Sequence, residues 1–507
     1  MSSAPVTIVR RLFDPGEGAS HQFIARWLFL RGLGLIYFSA FFSLFFQIRG
    51  LIGPQGILPA GEFLQSVAHS LGALRLWYAP TVLWLQSSGV MLGATMLTAL
   101  TVIGMVASVL LVLNLWPRLM LLVCFVAFLS FVSAAQDFSG YQSDGMLLEA
   151  GFLSLFLAPR GLRPGWGADS PPPLAAVLLL LWEWFRIYFQ SGLVKLLSGD
   201  PTWRNLTAMN EYYQNGPLPT WVGWYMQHLP EWFHKATAGA TLLMELVLVF
   251  MAFLPRPWRI ACFVIVTIWQ AGVIVTANYT FLNYLVLLLG ILLLDDALLR
   301  RYLPARLRRS FPQPDDSSSP REEPSQPEES MPARGRSRSL LHPFSLPAAA
   351  RRPLSALCLA VTAVLLSWVS YNTFFLLLHM FTRNLPLPAA PVIALEPFRI
   401  ANQYGLFAVM TPHRYEIEFQ GSNDGATWVA YPFRYKPQDL SAPPRIYAPY
   451  QPRFDWNLWF ASLGDWRHYP IVPRTEELLL TNDGDVLGLF AGNPFPNAPP
   501  HYVRAVL

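Results

Sequence analysis

Uninterrupted apolar stretches, each about as long as a bilayer is thick, recur along this chain and constrain its fold more than anything else in it. A helix needs about 20 apolar residues to cross the hydrocarbon layer. Inside that layer every backbone N–H and C=O must find an internal partner, which leaves the helix as the economical solution. Runs that meet or approach this length lie at 27–47, 92–114, 117–138, 143–159, 173–197, 237–255, 259–277, 281–297 and 354–381. The fourth and eighth are short. The apolar run from Pro80 to Asn114 exceeds one span, so Thr81 to Leu92 is read as an interfacial or re-entrant helix. The expected fold class is a polytopic α-helical membrane protein of about nine transmembrane helices, with a small C-terminal β-rich extracytoplasmic domain.

Composition agrees. Hydrophobic residues make up 53% of the chain and charged residues only 13%, against about 25% charged in soluble domains. The 18 tryptophans suit rings at lipid–water boundaries. The net charge of +5 comes from arginines in the connecting segments, so it reads as a topology signal and not as a nucleic-acid footprint. Cys124, Cys262 and Cys358 each sit in an apolar stretch, with no CxxC pattern and no cysteine–histidine cluster, so neither a disulfide framework nor a metal is expected. Residues 1–26 lack the apolar core of a cleavable signal peptide.

Basic residues orient the spans, because loops rich in lysine and arginine stay cytoplasmic. Arg10 and Arg11, Arg118, Arg160 and Arg163, Arg256 and Arg259, and the eleven arginines from Arg300 to Arg352 all fall on one side of a nine-span chain. The implied organisation is a cytoplasmic N-terminus (1–26) and a helical body (27–297) with outer loops 48–91 and 198–236. A cytoplasmic Pro/Ser-rich disordered linker (298–353), a last span (354–381) and an outer domain (382–507) follow. In the outer domain Arg414–Phe419 alternates as a half-buried strand does. Asn423-Asp424-Gly425 signals a turn, and Trp428–Arg434 offers a second strand, together a hairpin.

Ionisable residues within spans are functional candidates by default, and here they are Arg31, Glu149, Glu183, Arg186, Lys195 and Glu245. Glu183 and Arg186 lie three apart on one helical face, either as an internal ion pair or as part of a site, and Gln190 extends the stripe. Glu149 and Glu245 are either helix-packing hydrogen bonders or site carboxylates, and Arg31 either pairs with one of them or snorkels. At about 100° per residue Lys195 lies opposite Arg186. It is either an interfacial lysine or a partly desolvated amine able to act as a base. The second outer loop carries Tyr212, Trp221, Trp224 and Trp232 beside His228 and His234, two histidines whose spacing marks no metal site. No phosphate loop, HExxH or nucleophile elbow is present and no cofactor is implied.

Gly192-Leu-Val-Lys195, Gly199-Asp200, Trp203-Arg-Asn-Leu-Thr207, Met209 and Tyr212 resemble the lipase maturation factor family. So do Leu51-Ile-Gly53 with Gly56 and Leu58-Pro59, Leu147-Leu-Glu149 with Gly151-Phe-Leu153, and Asn278 with Phe281-Leu-Asn283 and Asp295-Asp296. In the tail, Asn402, Tyr404-Gly405, Phe407, Gln420-Gly421, Trp428, Tyr431, Phe433, Lys436-Pro437, Asp455-Trp456, Trp459-Phe-Ala461 and Asn493-Pro-Phe495 match in the same order. The resemblance implies a membrane-embedded factor that helps exported clients such as secreted lipases reach an assembled, active state. Its partners would be the lipid bilayer and a client held by Tyr212, Trp221, Trp224, Trp232, Tyr404, Trp428, Trp456 and Trp459. The outer cysteines of animal members are missing, as Ala60 illustrates, and the Arg-, Ala- and Pro-rich composition suits a bacterial homologue in a cytoplasmic membrane. Gly192 to Lys195, Trp203 and Leu147-Leu-Glu149 are also similar to the wider membrane superfamily of the vitamin K-dependent γ-carboxylase. That resemblance implies Lys195 as a base on a quinol or other lipid-soluble substrate, with Glu149 and Asn283 as pocket groups. It sets a test: Lys195, Glu149 and Trp203 should converge on one cavity.

Overall fold

The computed structural model describes residues 12–13, 22–86, 93–309, 311 and 348–507. Most of the N-terminal segment and of the Pro/Ser-rich linker lies outside the described residues. Each apolar run forms a helix, but the helices are unequal. Helix α1 (Phe23–Phe45) is followed by α2 (Ala60–Leu71) in the first loop, α3 (Ala94–Val112), α4 (Pro117–Val132), α5 (Gln142–Leu157) and α6 (Leu174–Leu197). Then come α7 (Glu231–Leu246), α8 (Arg256–Thr276), α9 (Leu282–Gly290) and α10 (Ala348–Phe381).

Among the described residues, six segments are long and apolar enough to cross a membrane: α1, α3, α6, Glu231–Phe253, α8 and Ala356–Phe381. A seventh counts if the pair Leu282–Leu293 and Asp296–Tyr302, bent by 112°, is one span. Helices α4 and α5 have 16 residues each, roughly 24 Å at the helical rise. That is short of a bilayer, and it is why the count of nine is not met by length. Of the stretch from Thr81 to Leu92, the described part holds a short helical segment, Val82–Gln86, tied to α4 where the Thr81 hydroxyl donates to the Ser130 carbonyl (3.1 Å) and the Val82 amide to the Ser130 hydroxyl (3.0 Å). Residues 87–92 lie outside the described residues.

Close approach explains the helix pairing. A Cβ on Gly34 of α1 would meet Ser108 O of α3 at 3.1 Å, and one on Gly104 of α3 would meet the Phe41 ring at 2.5 Å. Gly192 of α6 lies against α7, where a Cβ would come within 2.8 Å of Glu245 Cβ. Helix α6 is central, contacting α5, α7, α9 and α10.

The tail is less β-rich than its patterning suggests. Strand β1 (Glu418–Ser422) pairs antiparallel with β2 (Val429–Ala430), Gln420 opposite Ala430, and on its other edge with β3 (Tyr502–Val506), Gln420 opposite Arg504. The expected hairpin is therefore present in shortened form, and the last residues supply the third strand. Its turn is held by Asp424, whose carboxylate accepts from the amides of Thr427 and Ala426 and from the Ser422 hydroxyl, contacts that keep its pKa well below the usual carboxylate range. Helices α11 (Arg453–Ser462) and α12 (Ile471–Leu480) complete the domain. The tail shares one continuous apolar core with the helical body.

Candidate functional site

Two buried polar clusters divide the residues singled out in the sequence. The first joins the helical body to the tail. On α6, Arg186 points at α5, pairing with Glu149 Oε1, and its Nη1 donates to the Asn402 carbonyl (2.6 Å). Glu149 Oε2 accepts from the Asn402 amide (2.9 Å) and the Tyr404 hydroxyl (2.8 Å). The Tyr404 amide donates to Gln190 Oε1 (2.8 Å), and its hydroxyl stands 3.5 Å from Glu183 Oε1. The ion pair within one helix that the Glu183–Arg186 spacing suggested is therefore replaced by a pair between helices. The three-residue spacing put both groups on one face, but a guanidinium reaching sideways found the carboxylate of α5 first. Glu149, Glu183, Arg186 and Gln190 are completely buried. The Asn402 and Tyr404 backbone and the Tyr404 hydroxyl take up part of their hydrogen bonding, while Glu183 Oε2, Arg186 Nε and Gln190 Nε2 are left without a partner among the described residues.

A bidentate pair beside it went unread in the sequence. Arg453 of α11 donates to Asp144 of α5 through Nη1 (2.7 Å) and Nη2 (2.8 Å), with the Phe138 carbonyl (2.6 Å) and Gln451 (2.8 Å) taking further protons. Its guanidinium lies 4.7 Å from the Phe131 ring centroid. Asp144 falls inside the run at 143–159, so its presence there was the available signal. Its partner is 309 residues away and no local pattern connects them. Arg31 joins neither cluster. It stacks on Trp27, 4.4 Å from the ring centroid, and donates to the Trp27 carbonyl.

The second cluster lines a cavity of about 340 Å³ between α6, α7, α8 and α9. Lys195 Nζ lies 2.8 and 2.9 Å from the two oxygens of Glu245, one helix over. It also faces the Trp203 ring at 5.0 Å. Tyr188 donates to Gln270 (3.1 Å), which donates to Asn283 (2.7 Å), and all three line the same cavity. Trp203 donates to the Phe407 carbonyl (2.8 Å), so the helical motif around Lys195 and the tail motif around Tyr404 are in direct contact. Asn278 likewise accepts from the amides of Tyr447 (2.7 Å) and Ala448 (3.2 Å). Lys195 thus does not face lipid, and Trp203, Glu245 and Asn283 gather with it, whereas Glu149 belongs to the first cluster. The convergence expected of a carboxylase-like site is met by two of its three residues.

The aromatics expected to face a client also separate. Trp221, Trp224 and Trp232 are 49, 53 and 70% exposed. Trp459 is half-buried, and Trp428 lies under Arg504, whose guanidinium carbon is 4.0 Å from the ring centroid. Tyr212 lines the cavity wall. Tyr404 and Trp456 are buried, which corrects their reading as contact residues: the first is consumed by Glu149 and the second by packing against Tyr141 and Tyr279.

Comparison with known proteins covers both parts of this architecture. A model of the lipase maturation factor transmembrane domain matches residues 24–301, and one of the lipase maturation factor C-terminal domain matches 400–507. Lipase maturation factor 1 of Bos taurus is 31% identical over 494 residues, spanning 95% of this chain and 83% of the relative. Lipase maturation factor 2 of Mus musculus is 32% identical over 566 residues, 95% of this chain and 79% of the relative. Its Gallus gallus counterpart is 33% identical, covering 95% and 77%. No solved structure matches. With both domain models matched in order and relatives aligned along nearly its whole length, this chain belongs to the lipase maturation factor family.

Proposed function

We propose that the protein assists the folding and assembly of exported clients such as lipases, from the outer face of a bacterial cytoplasmic membrane. In this reading the chain crosses the membrane nine times, with the short α4 and α5 shielded by their neighbours. The N-terminus and linker are cytoplasmic, and loops 48–91 and 198–236 lie outside with the tail. The positions of the arginines support that orientation. The observation that carries the holding role is the trio Trp221, Trp224 and Trp232, exposed on a loop that packs on the tail through Arg414, whose guanidinium donates to the Gln214 and Pro217 carbonyls. Exposed indoles give a client non-directional apolar contact with a polar handle.

A second reading, Lys195 as a base, draws on its place in a cavity. Against it stands the ion pair: an ammonium closed on Glu245 has no lone pair to accept a proton until it first gives one away. Secreted lipase activity per molecule of lipase separates the two, measured in a strain lacking the protein and complemented with wild type, Lys195→Ala, or Trp221→Ala/Trp224→Ala/Trp232→Ala. The holding role expects the triple variant to fail and Lys195→Ala, if inserted at normal levels, to rescue. The reverse result would transfer the function to the cavity.

A further inference from the structure

The cavity around Lys195 has properties that client holding does not use. Its lining is mostly apolar, and its charged and amide side chains are buried and arranged in pairs, Lys195 with Glu245 and Gln270 with Asn283. The ammonium and carboxylate cancel, so the site offers hydrogen-bonding groups without net charge. Asn283 accepts from Gln270 through its oxygen, which leaves its amide N–H groups to face the cavity. On the α8 flank the lining reaches Ile268 and Gly272, one turn apart and both exposed on the outside of the bundle, where hydrocarbon would lie. A Cβ on Gly272 would meet nothing within 4 Å. The α8 flank of the cavity is thus apolar and exposed on the outside of the bundle, and the cavity's volume, about 340 Å³, is at the small end of ligand sites, about 300–1,000 Å³.

A thin wall closes the far end. The rings of Tyr212, Tyr279 and Phe407 pack at 5.0–6.3 Å. Beyond them a second cavity of about 380 Å³ runs under Trp456, Trp459 and Phe460 of the tail. Phe407 holds φ at +57°, a left-handed conformation that side chains other than glycine adopt only where surroundings impose it.

We propose that the cavity binds an uncharged single-chain amphiphile from the bilayer, of the acylglycerol or long-chain alcohol class. Its hydroxylated end meets Lys195–Glu245 and Gln270–Asn283, and its chain leaves on the α8 flank past Ile268 and Gly272. A cavity of about 340 Å³ is small for more than one chain, and a charged head would find no counter-charge there that is not already paired. Phe407 and its two tyrosines form the floor that keeps the chain out of the tail.

The test is photolabelling of the full-length protein in phosphatidylcholine vesicles by monoolein carrying a diazirine in its acyl chain, with labelled residues mapped by mass spectrometry. Val102 and Ile103 of α3, exposed on the outside of the bundle, serve as the reference for bulk lipid contact and for correct insertion. The expected result is saturable labelling around Ile268–Val273, competed by monoolein but not by oleate. Gly272→Trp and, separately, Ile268→Trp should each lower it about tenfold, a loss of about 1.4 kcal/mol in affinity, while Val102 and Ile103 label as before. Labelling that does not saturate, or that survives both substitutions with the reference unchanged, would overturn the site. Equal competition by oleate would overturn the uncharged class of ligand.

Discussion

At the scale of single residues, stability rests on charges whose partners lie in the other half of the chain. Removing one partner of a buried pair leaves the other charge unsolvated, at a cost of about 3–5 kcal/mol. Arg453→Ala strands Asp144 and should destabilise the detergent-solubilised protein by that amount, read as loss of thermal stability. Arg453→Met with Asp144→Leu should recover much of it, because a buried pair replaced by apolar groups is often neutral. Asp455 makes a different prediction. Buried in the tail, it is pushed up to about 6 by desolvation, against the opposing pull of the Lys436 and Tyr435 amides. Its folded pKa exceeds the unfolded value of about 3.9. The folded state therefore holds the proton longer, and this group's contribution falls as pH rises from about 4 to about 6, then stays constant. Asp455→Asn, which keeps the accepting oxygen, should gain on wild type across that window by on the order of 2 kcal/mol. A melting-temperature difference that does not change with pH would refute it.

At the scale of elements, small residues set which helices touch. Gly192 brings α6 against the Cβ of Glu245, and that atom is fixed by the α7 backbone and cannot swing away. Gly192→Val should push α7 outward and part Lys195 from Glu245, lowering thermal stability by roughly 1–3 kcal/mol, as overpacking does. Gly239, on the same α7, has open space around its Cβ position, so Gly239→Ala should instead be neutral or slightly stabilising, since alanine is the better helix former. Parallel unfolding of the two variants distinguishes close approach from a general intolerance of glycine replacement.

At the scale of the whole molecule, the tail is a structural part of the membrane body. Asn402 and Tyr404 complete the shell of Glu149, Arg453 that of Asp144, and Arg445, Tyr447 and Ala448 that of Asn278. A chain cut before Leu385 therefore exposes two buried carboxylates at once. It should fail to accumulate in the membrane fraction or elute as aggregate, whereas full-length Trp221→Ala/Trp224→Ala/Trp232→Ala should insert normally. A truncated body that is monomeric and as heat-stable as wild type would show that the tail is independent after all. Deleting the tail consequently says little about client holding, and surface substitutions are the informative variants.

The sequence by itself determined that the chain is a helical membrane protein, where its apolar helices lie, where the hairpin turns and most of the charges buried among them, though not Asp144. These are local properties: apolar length, period and turn chemistry act within one element. It also placed Lys195, Trp203 and Asn283 in stretches that resemble the lipase maturation factor family. Only the tertiary structure decided who pairs with whom. Arg186 took Glu149 and not Glu183, Lys195 took Glu245, Asp144 took Arg453, and Tyr404 went inward. A buried charge selects its partner by distance and solvation after the helices have packed, and helix packing is set by contacts hundreds of residues apart that no local pattern encodes.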